Sequence, residues 1–435
     1  MSEAKPIVTR IGQLPKWRGW TAQIISFGVT QATVQLLTAI CGVLLVRMLS
    51  KSEYSFYTIA NSVQALLNNL SDIGIGAGLF AIGGRTFRLR TELGSLLQTA
   101  LSERRRLAFP LFILAVGVLV GLLFKAGAQV GQMGALAVLI IGCFFFQYQT
   151  TVFAIALRLH QKVSKMQRLE VAASTLRLGL VGGFLYIYPA ASMGFLAVGI
   201  VLVMQLFFYR RWTHEVADLS QPPSSAYSKE LRALMLLMAP NVLFQCVQGQ
   251  IPIFLLTMMG HTNSVAEFGA ISRLAMLFSV FGALNMNIMH PAFARLQGRA
   301  SMFRGFWAIL SFNLLVGGGF VALSSIFPKP LLWILGSKYG NLEHELILAV
   351  VGAGLSLLSG CIWGMAAVRG WVQQSWLYIP ATIGGQVVSV FIFDLSTVKG
   401  VLLLNIVAQL CAIGVFLFII FKGFQKLKRQ ADQQG

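Results

Sequence analysis

Apolar runs of about twenty residues recur from one end of this sequence to the other. A helix of that length crosses the hydrocarbon core of a bilayer, and only helices and closed barrels can do so without stranding backbone polar groups. Twelve such runs fall near 22–46, 54–82, 108–124, 133–157, 168–187, 190–209, 232–258, 265–290, 304–327, 346–367, 374–394 and 399–421. They predict an all-α, polytopic membrane protein with twelve transmembrane helices. Composition agrees: 56% of the 435 residues are hydrophobic and 11% are charged, against roughly 25% charged in a soluble domain. A soluble enzyme, a disordered tail and a secreted disulfide scaffold are excluded. Cys41, Cys143, Cys246, Cys361 and Cys411 all lie inside apolar runs and read as small buried residues. The sequence holds no HExxH, Walker, GxSxG or CxxC pattern. No catalytic residues, metal or cofactor are therefore expected, and the chain is not expected to be an enzyme.

A net charge of +20 would by itself suggest nucleic acid. Its distribution suggests a topology instead. Of the 34 Lys and Arg, 26 fall at the two ends and in the connections after even-numbered runs. The other side holds Arg47, Lys51, Lys125, Lys329, Lys338 and Lys399, and Arg177 and Arg273 lie inside runs. Both termini are therefore expected in the cytoplasm. The partners expected are membrane lipids, with no nucleic acid. The densest marker is Arg85, Arg88, Arg90, Arg104, Arg105 and Arg106. The N-terminal stretch, with Lys5, Arg10, Lys16 and Arg18, is not expected to be a cleavable signal, since the apolar run after it is too long. Trp17 and Trp20 suit an interfacial segment before the first helix.

A polar stretch at 210–230, containing Gln221-Pro222-Pro223-Ser224-Ser225, reads as a flexible linker. It divides the chain into an N-terminal six-helix lobe (1–209) and a C-terminal one (231–435). An offset of 214 places Gln31 on Gln245, Glu53 on Glu267, Tyr54 on Phe268 and Leu70 on Leu284. Two similar six-helix lobes with a site between them are a common transporter plan.

Several spans carry polar stripes. Tyr57, Asn61, Gln64, Asn68 and Asp72 share one face of helix 2. Asn241, Gln245, Gln248 and Pro252 do so on helix 7, and Gln31, Gln35 and Thr38 on helix 1. Such groups are not left facing lipid, so they imply either interhelical hydrogen bonds or a lined cavity between the lobes. Pro240 and Pro252 would allow helix 7 to bend. Arg177, on one face with Glu170 and Ser174, and Arg273, in rough register with Asn287, are intramembrane charges without an acidic residue one turn away. Each either bonds carbonyls structurally or forms an anion site, because a guanidinium in low dielectric grips phosphate strongly. Asp72 is the candidate for cation coupling. His290, before Pro291, reads as a cap or interface residue.

The segment Arg47-Met48-Leu49-Ser50-Lys51-Ser52-Glu53-Tyr54-Ser55-Phe56-Tyr57 is similar to the "R-x-L-x-x-x-x-Y-G-x-Y" helix 1–2 turn of the polysaccharide exporter branch of the multidrug/oligosaccharidyl-lipid/polysaccharide (MOP) superfamily. Ser55 stands where glycine is usual. The basic stretch from Arg158 to Arg177 and the segment Glu267 to Leu296, ending His290-Pro291-Ala292-Phe293-Ala294-Arg295-Leu296, also resemble that family. The resemblance implies two lobes working by alternating access. It implies a cargo of undecaprenyl-pyrophosphate-linked oligosaccharide, flipped for polysaccharide or O-antigen synthesis beside polymerase and glycosyltransferase partners. Arg177 and Arg273 would supply the cationic cavity, with Arg47 a third candidate at the outer mouth. The alternatives are a cation-coupled multidrug exporter of the same superfamily, or a non-transporting scaffold of a synthase complex.

Overall fold

The computed structural model describes residues 17–259 and 262–432; side chains before 28, beyond 426, and at positions 237, 241 and 287 are not described. Lys5, Arg10 and Lys16, and the side chains of Trp17, Arg18, Trp20, Asn241 and Asn287, thus lie outside the described residues. The helices of the first half are α1 (Trp17–Met48), α2 (Lys51–Asp72), α3 (Ile75–Thr86), α4 (Arg90–Lys125), α5 (Val130–Leu159), α6 (Val163–Ile187) and α7 (Ala191–His214). The second half holds α8 (Ser225–Met258), α9 (Thr262–Ala275), α10 (Phe278–Leu284), α11 (His290–Arg295), α12 (Arg299–Ile326), α13 (Pro328–Leu335), α14 (Glu343–Val368), α15 (Tyr378–Ile392) and α16 (Val398–Asp432).

Among the described residues eleven stretches are long and apolar enough to cross a membrane, and α9 with α10, bent by 44°, makes a twelfth when taken as one span. Two spans are broken for visible reasons. Span 2 divides into α2 and α3 at Gly74, whose φ of 81° closes a left-handed turn. Span 8 bends after Ala275 and carries a π-helical turn at Asn285–Met289, just before Pro291 of α11. By contrast α8 stays continuous through Pro240 and Pro252.

The halves meet most closely at one end. One apolar core there joins Val46, Leu49, Tyr54 and Ile59 of the first half to Val265, Ala270, Leu332 and Tyr339 of the second. Toward the opposite end, where most Lys and Arg collect, the core splits. One cluster lies around Ile75, Leu97, Phe153 and Leu231, and another around Phe293, Phe306, Met365 and Phe416. The connection expected over 210–230 is shorter than that, since only 215–224 lie between α7 and α8. It is also docked rather than loose. The Asp218 amide donates to Arg90 O at 2.9 Å, Gln98 Nε2 to Leu219 O at 2.7 Å and Ser95 Oγ to Pro222 O at 2.8 Å. Gly94 permits this, because a Cβ there would collide with Asp218 O. Polar, proline-rich composition signals a loop but does not reveal a surface that fits it.

Candidate functional site

Two guanidiniums from different halves converge on one stretch of α1, from Thr38 to Gly42. Arg177 of α6 donates from Nη2 to Thr38 Oγ1 at 2.7 Å. Its Nε is buried and makes no hydrogen bond. Arg273, near the end of α9, reaches across from the second half. It donates from Nε to Tyr54 Oη at 3.2 Å, and its Cζ lies 5.8 Å from the Tyr57 ring centroid. Its Cδ passes 3.0 Å from where a Cβ on Gly42 would stand, so glycine at 42 makes room for the arginine. Among the described residues neither arginine pairs with a carboxylate. Arginine keeps its proton in proteins, so two uncompensated positive charges sit where desolvation is costly.

A cavity of about 270 Å³ opens beside them, between α1 and the bend of span 8, with Gln35, Thr38, Met276 and Val280 among its walls. The Gln35 side-chain oxygen accepts from Ser279 Oγ at 3.4 Å. Gln31, one turn earlier, is half-buried. The α2 stripe belongs to the same interface, since α2 packs on both α8 and α9. Within it Tyr57 and Gln64 are buried, Asn61 is exposed, and the buried Asn68 Oδ1 has no partner among the described residues. Across on α8, Gln245 is exposed and the buried Gln248 Oε1 likewise lacks a partner; Asn241 lies outside the described side chains.

Two expected site residues have other occupations. Arg47 is bonded across the halves. Its Nε and Nη2 donate to Ile334 O at 2.8 Å and Trp333 O at 2.7 Å, and its guanidinium lies 5.0 Å from the Trp333 ring centroid. It thereby satisfies the last carbonyls of α13. Lys338 returns the favour by donating to Leu49 O at 2.9 Å and Arg47 O at 3.3 Å. With Lys51–Glu267 at 2.9 Å, these bonds clamp the halves at the end away from the basic face. Asp72, the expected cation-coupling carboxylate, already faces a resident cation: Arg104 Nη2 lies 3.7 Å from its Oδ1. Arg104 is 3% exposed and also donates to Tyr148 O at 3.2 Å and Ser71 Oγ at 3.4 Å. A buried guanidinium needs such partners.

Tyr54 is legible in the sequence as part of the helix 1–2 motif, whereas Glu103 is hidden in the basic cluster that surrounds it. Tyr54 sits three residues before Tyr57, so the two rings of one motif flank Arg273. Glu103 ties α4 to α8 through a bidentate bond to Arg232, at 2.8 and 2.9 Å, and accepts from Ser228 Oγ at 2.8 Å. Its carboxylate holds Arg232 above the ordinary guanidinium range. Arg85 and Glu230 add a second link on the same face.

Solved structures share this arrangement of helices. A multidrug resistance MATE family transporter of the MOP superfamily, in an inward-facing conformation, superposes with a TM-score of 0.71 at 18% identity, over 92% of this chain and 99% of its own. The lipid II flippase MurJ, in an inward closed conformation, does so with a TM-score of 0.69 at 14% identity, over 93% and 90%. The chain has the MOP transporter fold. A third example is a MOP superfamily transporter from Pyrococcus furiosus with a binding pocket of reverse polarity (TM-score 0.62, 16% identity, 93% of this chain and 95% of its own). No protein-family model and no curated protein matches the sequence. Within the MOP fold, Arg177 and Arg273 lie at the seam between the halves.

Proposed function

We propose that this protein flips a lipid-linked oligosaccharide, held through its pyrophosphate, from the cytoplasmic to the outer leaflet of a bacterial inner membrane by alternating access. The observation that carries the reading is the pair of guanidiniums on α1 with no carboxylate against either. A pyrophosphate supplies the missing negative charge and accepts planar, two-pronged hydrogen bonds from arginine. The Gln and Asn side chains on the neighbouring faces offer both donors and acceptors to sugar hydroxyls. Closure at the Arg47–Lys338 end leaves the seam to open toward the basic face, which the charge distribution assigns to the cytoplasm. MurJ, by name a lipid II flippase, has the same fold and makes a lipid-linked cargo reasonable. On this reading residues 1–209 and 231–435 form the two lobes that rock about the seam, and polymerase and glycosyltransferases are the partners on either side.

The test is flipping of a pyrophosphate-linked oligosaccharide in liposomes. Arg177→Ala and Arg273→Ala, inserted at normal levels, are expected to lose it; full activity in both overturns the assignment. The likeness to a MATE multidrug transporter favours a second reading, cation-coupled drug export through Asp72. Drug efflux that disappears in Asp72→Asn, with no oligosaccharide flipping by the parent chain, would establish it.

A further inference from the structure

We propose a binding site for the headgroup of an anionic phospholipid on the basic face, at the end of α16, independent of whatever cargo crosses the seam. A cavity of about 400 Å³ lies there, between the connection that follows α14 and the last turns of α16; Gln373, Gln374, Lys422, Gln425 and Lys426 supply its polar wall. The connection is held in place. Gly370, at φ 70°, ends α14, and the Trp371 amide turns back to Ala366 O at 3.0 Å. The Trp371 ring then drops onto Gly423, where a Cβ would collide with it, and stands edge-on to Phe424 at 5.4 Å. Glycine at 423 is what lets the indole lie flat on the helix and hold Gln373 and Gln374 beside α16.

The chemistry of the wall is that of a phosphate site. Lys422 and Lys426 stand one turn apart on one helix face. Two ammoniums and three primary amides present donors to an anion, and among the described residues no Asp or Glu lines the cavity. What lies below distinguishes a lipid from free phosphate. One turn toward the membrane from Lys422 and Gln425 are Phe418, 41% exposed, and Phe421, 61% exposed. The Lys422 Nζ lies 4.7 Å from the Phe418 ring centroid, so its ammonium rests on the aromatic strip at the membrane-side edge of the cavity. A charged, amide-lined hollow directly above exposed aromatic side chains fits a molecule with a phosphate at one end and acyl chains at the other.

The full-length protein in detergent can be tested by native mass spectrometry with phosphatidylglycerol, and with phosphatidylcholine of the same acyl chains. Phosphatidylglycerol is expected to be retained preferentially, and Lys422→Gln with Lys426→Gln is expected to reduce its retention about tenfold. Removing two charges at Arg210 and Arg211, which are exposed on the same face, is expected to leave retention nearly unchanged. Equal retention of the two lipids overturns the site, as does equal loss in both double variants. Displacement of phosphatidylglycerol by millimolar inorganic phosphate would assign the hollow to free phosphate and overturn the lipid assignment. Flipping activity is not the readout, so failure here is separate from failure of the transport reading.

Discussion

Arg104 and Arg177 are both guanidiniums drawn into an apolar protein, and they are treated in opposite ways. Arg104 on α4 is enclosed by a carboxylate, a carbonyl and a hydroxyl from α2 and α5. Arg177 on α6 has one threonine hydroxyl and a buried Nε with nothing to donate to. The first has a counter-charge and two hydrogen-bond acceptors and joins three helices. The second is an open valence, and Arg273, held by a tyrosine hydroxyl and a tyrosine ring, resembles it. Burial of charge is therefore not in itself a mark of a site in this molecule. Arg177 and Arg273 differ in having no carboxylate against them among the described residues, and the transport proposal rests on that difference.

The comparison breaks most visibly at Arg104. Arg104→Leu takes the donor from Tyr148 O and Ser71 Oγ and the cation from beside Asp72, and is expected to cost about 1–3 kcal/mol, since buried acceptors lose their partner while Asp72, 38% exposed, is hydrated. Thermal unfolding in detergent measures it. Arg177→Leu is expected to leave unfolding unchanged or slightly raised while flipping falls by a factor of about 10–100, the worth of a charge-assisted contact of 1.5–3 kcal/mol. Arg177→Lys, which keeps charge but not the planar fork, should fall between. A destabilised Arg177→Leu would mean that the two arginines are alike after all.

A smaller effect is expected where the halves are clamped. Arg47→Ala takes the donor from Ile334 O, leaves Trp333 O with the Gly336 amide alone, and removes the contact with the Trp333 ring. It should shift the population toward states open at that end, read as faster labelling of a cysteine placed at Ser337, with a stability loss of about 1 kcal/mol. The smallest is at the exposed Glu215. The Lys162 ammonium, at 2.6 Å, and then Lys165 hold its carboxyl below the ordinary carboxylate range. A depressed carboxylate contributes stability above its unfolded pKa and loses it as pH falls through the folded one. Glu215→Gln should flatten that acid-side decline slightly in a melting-temperature series from pH 6 to pH 3. An unchanged profile would show the pair to be fully screened.

The legibility of the two arginines also differed. Arg177 stands out in the sequence as a charge inside an apolar run. Arg104 looks like part of the basic cluster between runs 2 and 3, because Arg105 and Arg106 follow it. A finer signal was present. Leu93, Leu97, Ala100, Arg104 and Ala108 follow one helical stripe, and all of them are buried. Arg47 was legible as a charge at a turn, but its partners lie 286 and 287 residues away. No local pattern reports such a distance.

The sequence by itself determined what a bilayer enforces on each segment: helices, their number and the basic side. Lipid cannot hydrogen-bond a backbone and charge partitions between the two faces, so each span is decided by its own twenty residues. Only the tertiary structure decided which charges are cancelled. That depends on which helix faces meet, and the packing that brings α4 to α2, and α6 and α9 to α1, is written in shape across the whole chain.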